Sequence, residues 1–164
     1  MNRKQLYTIA LLAMPFIFGG CSKSTDDNTG CGFAGSNIVA PASEIATLQA
    51  YVNANHPAAV QHPSGFFYEI TAPGSGLNPS LCSRIMVKYS GYLTNGTKFD
   101  ENLNGAVFIL GQLIPGWQKG IPLIQKTGSI NLYIPPSLGY GSQGSGSVPG
   151  NSILVFVIQL MDVQ

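Results

Sequence analysis

The chain has 164 residues, of which 9% are charged, with a formal net charge of +1, 20 glycines and 11 prolines. So sparse and balanced a charge leaves no basic surface for nucleic acid and no acidic field for cationic partners, and so many turn formers favour a β-rich domain over a helical bundle. The length suits one domain with extensions.

Asn2-Arg-Lys4 is a short basic region, and Leu6–Phe18 is an apolar run. A run of about 13 residues is too short to cross a bilayer as a helix. It ends at Phe18-Gly-Gly-Cys21, small residues before a cysteine. This resembles a bacterial lipoprotein signal, in which the cysteine is lipidated and becomes the new N-terminus; Phe18 stands where Leu is more common. An ordinary secretory signal cut nearby is the alternative. The expectation is a signal peptide over residues 1–20, a lipid on Cys21, and an extracytoplasmic protein anchored to a bacterial membrane, in particular the outer membrane on its periplasmic or surface side. Residues 21–40 begin polar and small and read as a flexible tether. Within it, Lys23–Asp27 resembles the short acidic surface-export stretches of some Gram-negative lipoproteins.

With Cys21 lipidated, Cys31 and Cys82 remain in an oxidising compartment. An even remainder favours a disulfide over two free thiols. It would close a loop of about 50 residues and add about 4 kcal/mol in the chain-entropy model. The cysteines and the scattered His56 and His62, each followed by a proline, form no ligand cluster, so no metal is expected. Both histidines read as surface turn residues.

Pro41–Asn55 reads as a helix: Ser43 is a plausible N-cap, and Ile45, Leu48 and Val52 recur at i, i+3 and i+7. His56-Pro57 ends it, and residues 41–64 form a helical extension. From residue 65 to 164 the pattern is strands: Phe66–Thr71, Arg84–Leu93, Ala106–Leu110, Ser129–Ile134 and Ile153–Asp162. Thr94-Asn-Gly-Thr97 is a tight turn between two of them. The last strand opens apolar on both faces, as a central strand does. Between strands lies Leu113–Ile124, with the only tryptophan. Pro115-Gly116 stops the preceding strand, and Trp117, Ile121 and Ile124 share one face of a helix of about two turns at most. A lone short helix among strands must lie on the sheet, because neither buries its apolar face alone.

No serine has an evident histidine partner, and no carboxylate pair declares itself as acid and base. The strand-rich part instead collects Tyr89, Tyr92, Phe99, Phe108, Trp117, Tyr133, Tyr140 and Phe156. An aromatic cleft with few polar groups suits an uncharged ligand.

Four stretches carry a resemblance. Val87-Lys-Tyr-Ser-Gly-Tyr-Leu-Thr-Asn-Gly-Thr-Lys-Phe-Asp100 looks like the hallmark strand–turn–strand of FKBP-type peptidyl-prolyl isomerases. Leu113-Ile-Pro-Gly-Trp-Gln-Lys-Gly120 resembles their pocket-floor helix, and Leu132–Gly141 and Val148–Phe156 match their last two elements in order. The resemblance covers about Phe66–Gln164. It implies an α+β fold, a twisted antiparallel half-barrel sheet wrapped on one short helix. It further implies Trp117 as pocket floor, Tyr89, Phe99 and Phe156 as walls, and Leu113 and Ile114 as an aliphatic rim offering a backbone N–H. Asp100 would be the one buried carboxylate facing the pocket, Tyr140 its hydroxyl donor, and Val148 an aliphatic flap residue.

By the same resemblance the protein is a peptidyl-prolyl cis-trans isomerase for extracytoplasmic folding, needing no cofactor. Its partners would be prolyl-containing unfolded polypeptides, macrolide inhibitors and, through the lipid, a membrane, but no nucleic acid. Two departures motivate an alternative, a weakly catalytic peptide-binding chaperone module. Ala106 stands where many members carry a larger side chain, and the flap Gly141–Gly150 is unusually rich in Gly and Ser.

Overall fold

A computed structural model describes residues 31–164. The expected signal peptide, the expected lipid site Cys21 and the first part of the expected tether lie outside the described residues. The elements are α1 (Ala42–Asn55), β1 (Val60–Gln61), β2 (Phe67–Ala72), β3 (Arg84–Leu93), β4 (Lys98–Ile109), α2 (Pro115–Gly120), β5 (Ser129–Ile134) and β6 (Leu154–Val163). Single 3-10 turns at Leu110–Gln112, Ile121–Leu123 and Pro136–Leu138 join them.

The strands form one sheet in the order β1-β2-β5-β6-β3-β4, with every pairing antiparallel. This is the expected arrangement of an antiparallel sheet around one short helix, with α1 added at the N-terminal side. β6 is flanked by β5 and β3, which explains why its residues are apolar on both faces. One face of the sheet carries Ile85, Val87, Ile130, Leu132, Ile134, Leu154, Phe156, Ile158 and Leu160. It closes over Trp117 of α2 and over Ile121 and Ile124 just beyond it. Pro115 opens α2 at a position where its missing N–H costs nothing. Gly116 and Gly120 then let the helix lie close on β5, since a Cβ at either would stand 2.6 Å from Ile134 or Leu132.

The other face is covered by α1. Leu48 and Val52, 0% and 1% exposed, sit on a row running across four strands, Phe67–Tyr133–Val155–Tyr92. The helix begins at Ala42, capped by Pro41 without a side-chain hydrogen bond. Ser43 is therefore inside the first turn and not the cap; its carbonyl accepts from Thr47 Oγ1 at 3.0 Å. Glu44, where a carboxylate suits the helix dipole, accepts instead from the Ser137 N–H at 2.9 Å.

Three further differences follow from packing. β4 runs from Lys98, well before the expected Ala106, because an edge strand facing water is polar over much of its length. β1, only two residues long, was not expected at all. The histidines are not free surface residues. His56 packs at 4.5 Å from the Tyr133 ring, and His62 stacks on Phe66 at 4.4 Å and 19°.

Residues 31–40 hold no helix or strand, yet they touch the rest of the domain. Cys31 is bonded to Cys82 across 5.7 Å between Cα atoms, and the buried Ala40 donates its N–H to Ser64 O at 2.9 Å. No helix among the described residues is long and apolar enough to cross a membrane.

Candidate active site

Trp117 is the centre of the site because α2 is pressed into the sheet and its indole has nowhere else to go. It is 4% exposed and meets three rings edge to face: Phe156 at 5.1 Å and 84°, Tyr89 at 5.2 Å and 85°, and Phe108 at 6.3 Å and 86°. Such T-shaped contacts add about 0.5–1.5 kcal/mol each beyond area burial and fix ring orientation. Above the indole lies a cavity of about 150 Å³, open to solvent on one side. Its walls are Tyr89, Phe108 and Phe156, with Leu113 and Ile114 as rim and Asp100 and Tyr140 as the polar edge.

The polar edge is organised by one hydrogen bond. Tyr89 donates its hydroxyl to Asp100 Oδ2 at 2.7 Å, and the other carboxylate oxygen accepts from the Glu101 N–H at 2.8 Å. Both oxygens of Asp100 are thereby oriented. Burial, then the bond to Asp100 and its charge, push the Tyr89 hydroxyl well above its ordinary value. Burial, with the Asp100 charge second, also raises Tyr140. Both phenols are consequently protonated donors at neutral pH. With Tyr89 committed to Asp100, Tyr140 is the phenol left for a ligand. The Ile114 N–H, just before α2, likewise has no hydrogen-bond partner among the described residues.

Most of the residues carried over from the sequence converge here: Tyr89, Asp100, Leu113, Ile114, Trp117, Tyr140 and Phe156 all line the cavity. Asp100 is exposed, not buried, because β4 is the sheet edge and leaves one side of the carboxylate to water. Phe99 stands one ring back. It packs edge-on against Phe156 at 5.5 Å and occupies the space over Gly91, where a Cβ would be 2.7 Å from its Cζ. Val148 is 5% exposed and belongs to the core, paired with Ser145 in an isolated bridge that stiffens the Gly/Ser-rich flap. Phe108 was not carried over as a site residue. The signal was its place two residues after Ala106 on the same face of β4, where a second aromatic ring reaches the cavity although Ala106 does not line it. No group of three His, Cys, Asp or Glu that would hold a metal occurs among the described residues.

This fold and this pocket define a class: an antiparallel sheet enclosing a short helix whose tryptophan floors an aromatic cleft. Residues 77–161 match the family model for FKBP-type peptidyl-prolyl cis-trans isomerase, and the chain belongs to that family. Among curated proteins it is similar to the FKBP-type isomerase FkpA of Aeromonas hydrophila, 38% identical over 104 residues (62% of this chain, 39% of the relative). It is also similar to FkpA of Buchnera aphidicola subsp. Schizaphis graminum, 42% identical over 105 residues (62% of this chain, 42% of the relative). The chain thus matches about two fifths of the length of these relatives. Among solved structures, FkpA from Escherichia coli superposes with a TM-score of 0.68 at 34% identity, covering 75% of this chain and 60% of that one. AtFKBP13 gives a TM-score of 0.60 at 30% identity, covering 65% of this chain and 98% of that one.

Proposed function

We propose that the protein is a peptidyl-prolyl cis-trans isomerase that assists the folding of extracytoplasmic proteins, working without covalent chemistry in the pocket over Trp117. The observation that carries the reading is the convergence of Tyr89, Phe108 and Phe156 on one buried indole, beside a Tyr140 hydroxyl and an Ile114 N–H that have no hydrogen-bond partner among the described residues. Rotation about an X–Pro bond faces a barrier of about 18–20 kcal/mol from amide resonance and takes tens of seconds unaided. In the twisted transition state resonance and charge separation are lost. An apolar, water-excluding cradle therefore favours that state over the planar amide. Trp117 supports the prolyl ring, Tyr89, Phe108 and Phe156 exclude water around it, and Leu113 grips the flanking chain. The Ile114 N–H and the Tyr140 hydroxyl donate to the substrate carbonyls. Asp100 acts through Tyr89, fixing which phenol is free. Phe99 and Val148 support the wall and the flap from behind.

The partners on this reading are prolyl segments of unfolded polypeptides, with macrolides as inhibitors of the same apolar cleft. The location proposed is extracytoplasmic, with the chain lipid-anchored through Cys21 after removal of residues 1–20. The Phe18-Gly-Gly-Cys21 pattern supports this, and a Cys31–Cys82 bridge suits an oxidising compartment.

The test is proline-limited refolding of an unfolded protein, with Trp117→Ala as the comparison. The wild type is expected to accelerate the slow phase, and a folded Trp117→Ala protein to lose at least about tenfold in kcat/KM. Full activity in Trp117→Ala would remove the pocket from the mechanism. Suppressed aggregation without faster isomerisation would transfer the fold to a binding role.

A further inference from the structure

Building on the isomerase reading of the pocket, we propose that the segment Cys31–Ser36 is a strap that positions the substrate-contacting rim Leu113–Ile114, with Phe33 as its positioning residue. The strap lies outside the residues 77–161 that match the family model.

The rim hangs on one 3-10 turn, Leu110–Gln112, between β4 and α2. Gly111 in that turn is clamped on several sides. Its N–H donates to Leu81 O at 2.8 Å, and its carbonyl accepts from Gln118 Nε2 at 3.1 Å. The same Gln118 amide reaches Leu113 O at 2.7 Å. The remaining side is covered by Phe33, whose ring lies so close that a Cβ on Gly111 would stand 2.5 Å from its Cγ.

The disulfide sets this geometry. Cys82 adjoins Leu81, which binds the Gly111 N–H, and Cys31 is two residues before Phe33, which covers Gly111. One covalent closure therefore delivers both contacts to the same peptide. At its other end the strap is tied to α2, where Lys119 Nζ donates to the Ser36 carbonyl. It spans from the rim's turn to the helix that carries Trp117. Glycine has the widest backbone freedom of any residue, so Gly111 stripped of Phe33 is the natural point for the rim to move. A shift there is transmitted through Gln112 and Leu113 to the unpaired Ile114 N–H. Small displacements of a positioning group are costly to binding and catalysis.

The measurement is steady-state isomerisation of a prolyl tetrapeptide by the purified protein, together with the Ile114 amide resonance of 15N-labelled protein. Phe33→Ala is expected to raise KM by about three- to tenfold with kcat within about twofold, the signature of lost ground-state grip, and to move the Ile114 resonance. Phe33→Leu, which restores an apolar cover, is expected to recover most of the KM. Lys119→Met releases the other end of the strap and is expected to raise KM by at least about twofold. An unchanged KM and resonance in Phe33→Ala with only a lower melting temperature would make the strap purely structural. If Phe33→Ala fails to fold, an unchanged KM in Lys119→Met overturns the proposal. A wild type that turns over no prolyl peptide sinks the isomerase reading instead, and the strap is still judged by whether the Ile114 resonance responds to Phe33→Ala.

Discussion

His62 shows how a residue that looks idle in the sequence acquires a role by packing. Its Nδ1 accepts the Ser64 N–H at 3.1 Å and lies 2.8 Å from the Ser64 hydroxyl, while its ring stacks on Phe66. Burial, then the Lys119 charge, lower its pKa below the ordinary value. Because the native state binds the proton more weakly than the unfolded chain, stability is fully present above about pH 6.5 and falls as the pH drops through the lowered folded value. Protonated Nδ1 would also face the Ser64 N–H donor to donor. The urea midpoint is expected to fall between about pH 7.5 and pH 5.5, and to fall less in His62→Gln; parallel declines in the two proteins would assign the acid sensitivity elsewhere. No sequence pattern indicated this, since a histidine before a proline looks like any turn. The pocket residues were more legible. Trp117, Tyr89, Tyr140 and Phe156 sit in motifs whose spacing ties them to named elements. Phe108 lies within the expected strand Ala106–Leu110 and among the aromatics of the cleft, but the resemblance gave it no site role because it put the larger side chain at Ala106, whereas it is Phe108 that reaches the cavity.

At the scale of elements, legibility followed burial. β3 and β5 were bounded in the sequence as Arg84–Leu93 and Ser129–Ile134, the limits they have, because alternation or continuous apolarity marks a strand inside a sheet. β4 was half hidden by Lys98, Asp100, Glu101, Asn102 and Asn104, which an edge strand can place in water. It bends where Asn102 Oδ1 accepts the N–H groups of Asn104 and Gly105, with Gly105 at φ +102°. α1 was visible from Ile45, Leu48 and Val52, but not the surface it covers. That surface is Phe67, Tyr133 and Val155, on the face of the sheet opposite Trp117. The two faces therefore separate stability from chemistry. Leu48→Ala removes a fully buried side chain and is expected to cost about 2–5 kcal/mol in urea unfolding. It should leave kcat/KM unchanged at temperatures where the protein is folded. A large drop in kcat/KM with the fold intact would show that α1 reaches the pocket through the sheet.

The order of strands is a property of the whole molecule, and it decides how the site depends on folding. Sequence identified β6 as central, yet nothing local could show that β2 lies beside β5 or that β3 sits between β6 and β4. These neighbours come from distant parts of the chain, so their pairing is set by the hydrophobic face they jointly close. The cavity inherits that long range. Tyr89 comes from β3, Asp100 and Phe108 from β4, Trp117 from α2, Tyr140 from the loop after β5 and Phe156 from β6. No fragment of the chain presents it, so a pocket ligand binds the native state and not the unfolded one. By mass action, ligand at about 100 times its Kd then stabilises the native state by about 2.7 kcal/mol. For a domain of this size that is a rise in melting temperature of roughly 5–15 °C. Thermal unfolding with and without a saturating macrolide is expected to show this rise in the wild type and to lose most of it in Trp117→Ala, which removes the floor. An unshifted wild type would mean that the aromatic cavity does not take an uncharged ligand of the macrolide kind. Equal shifts in both proteins would place the ligand on a surface other than the one Trp117 supports.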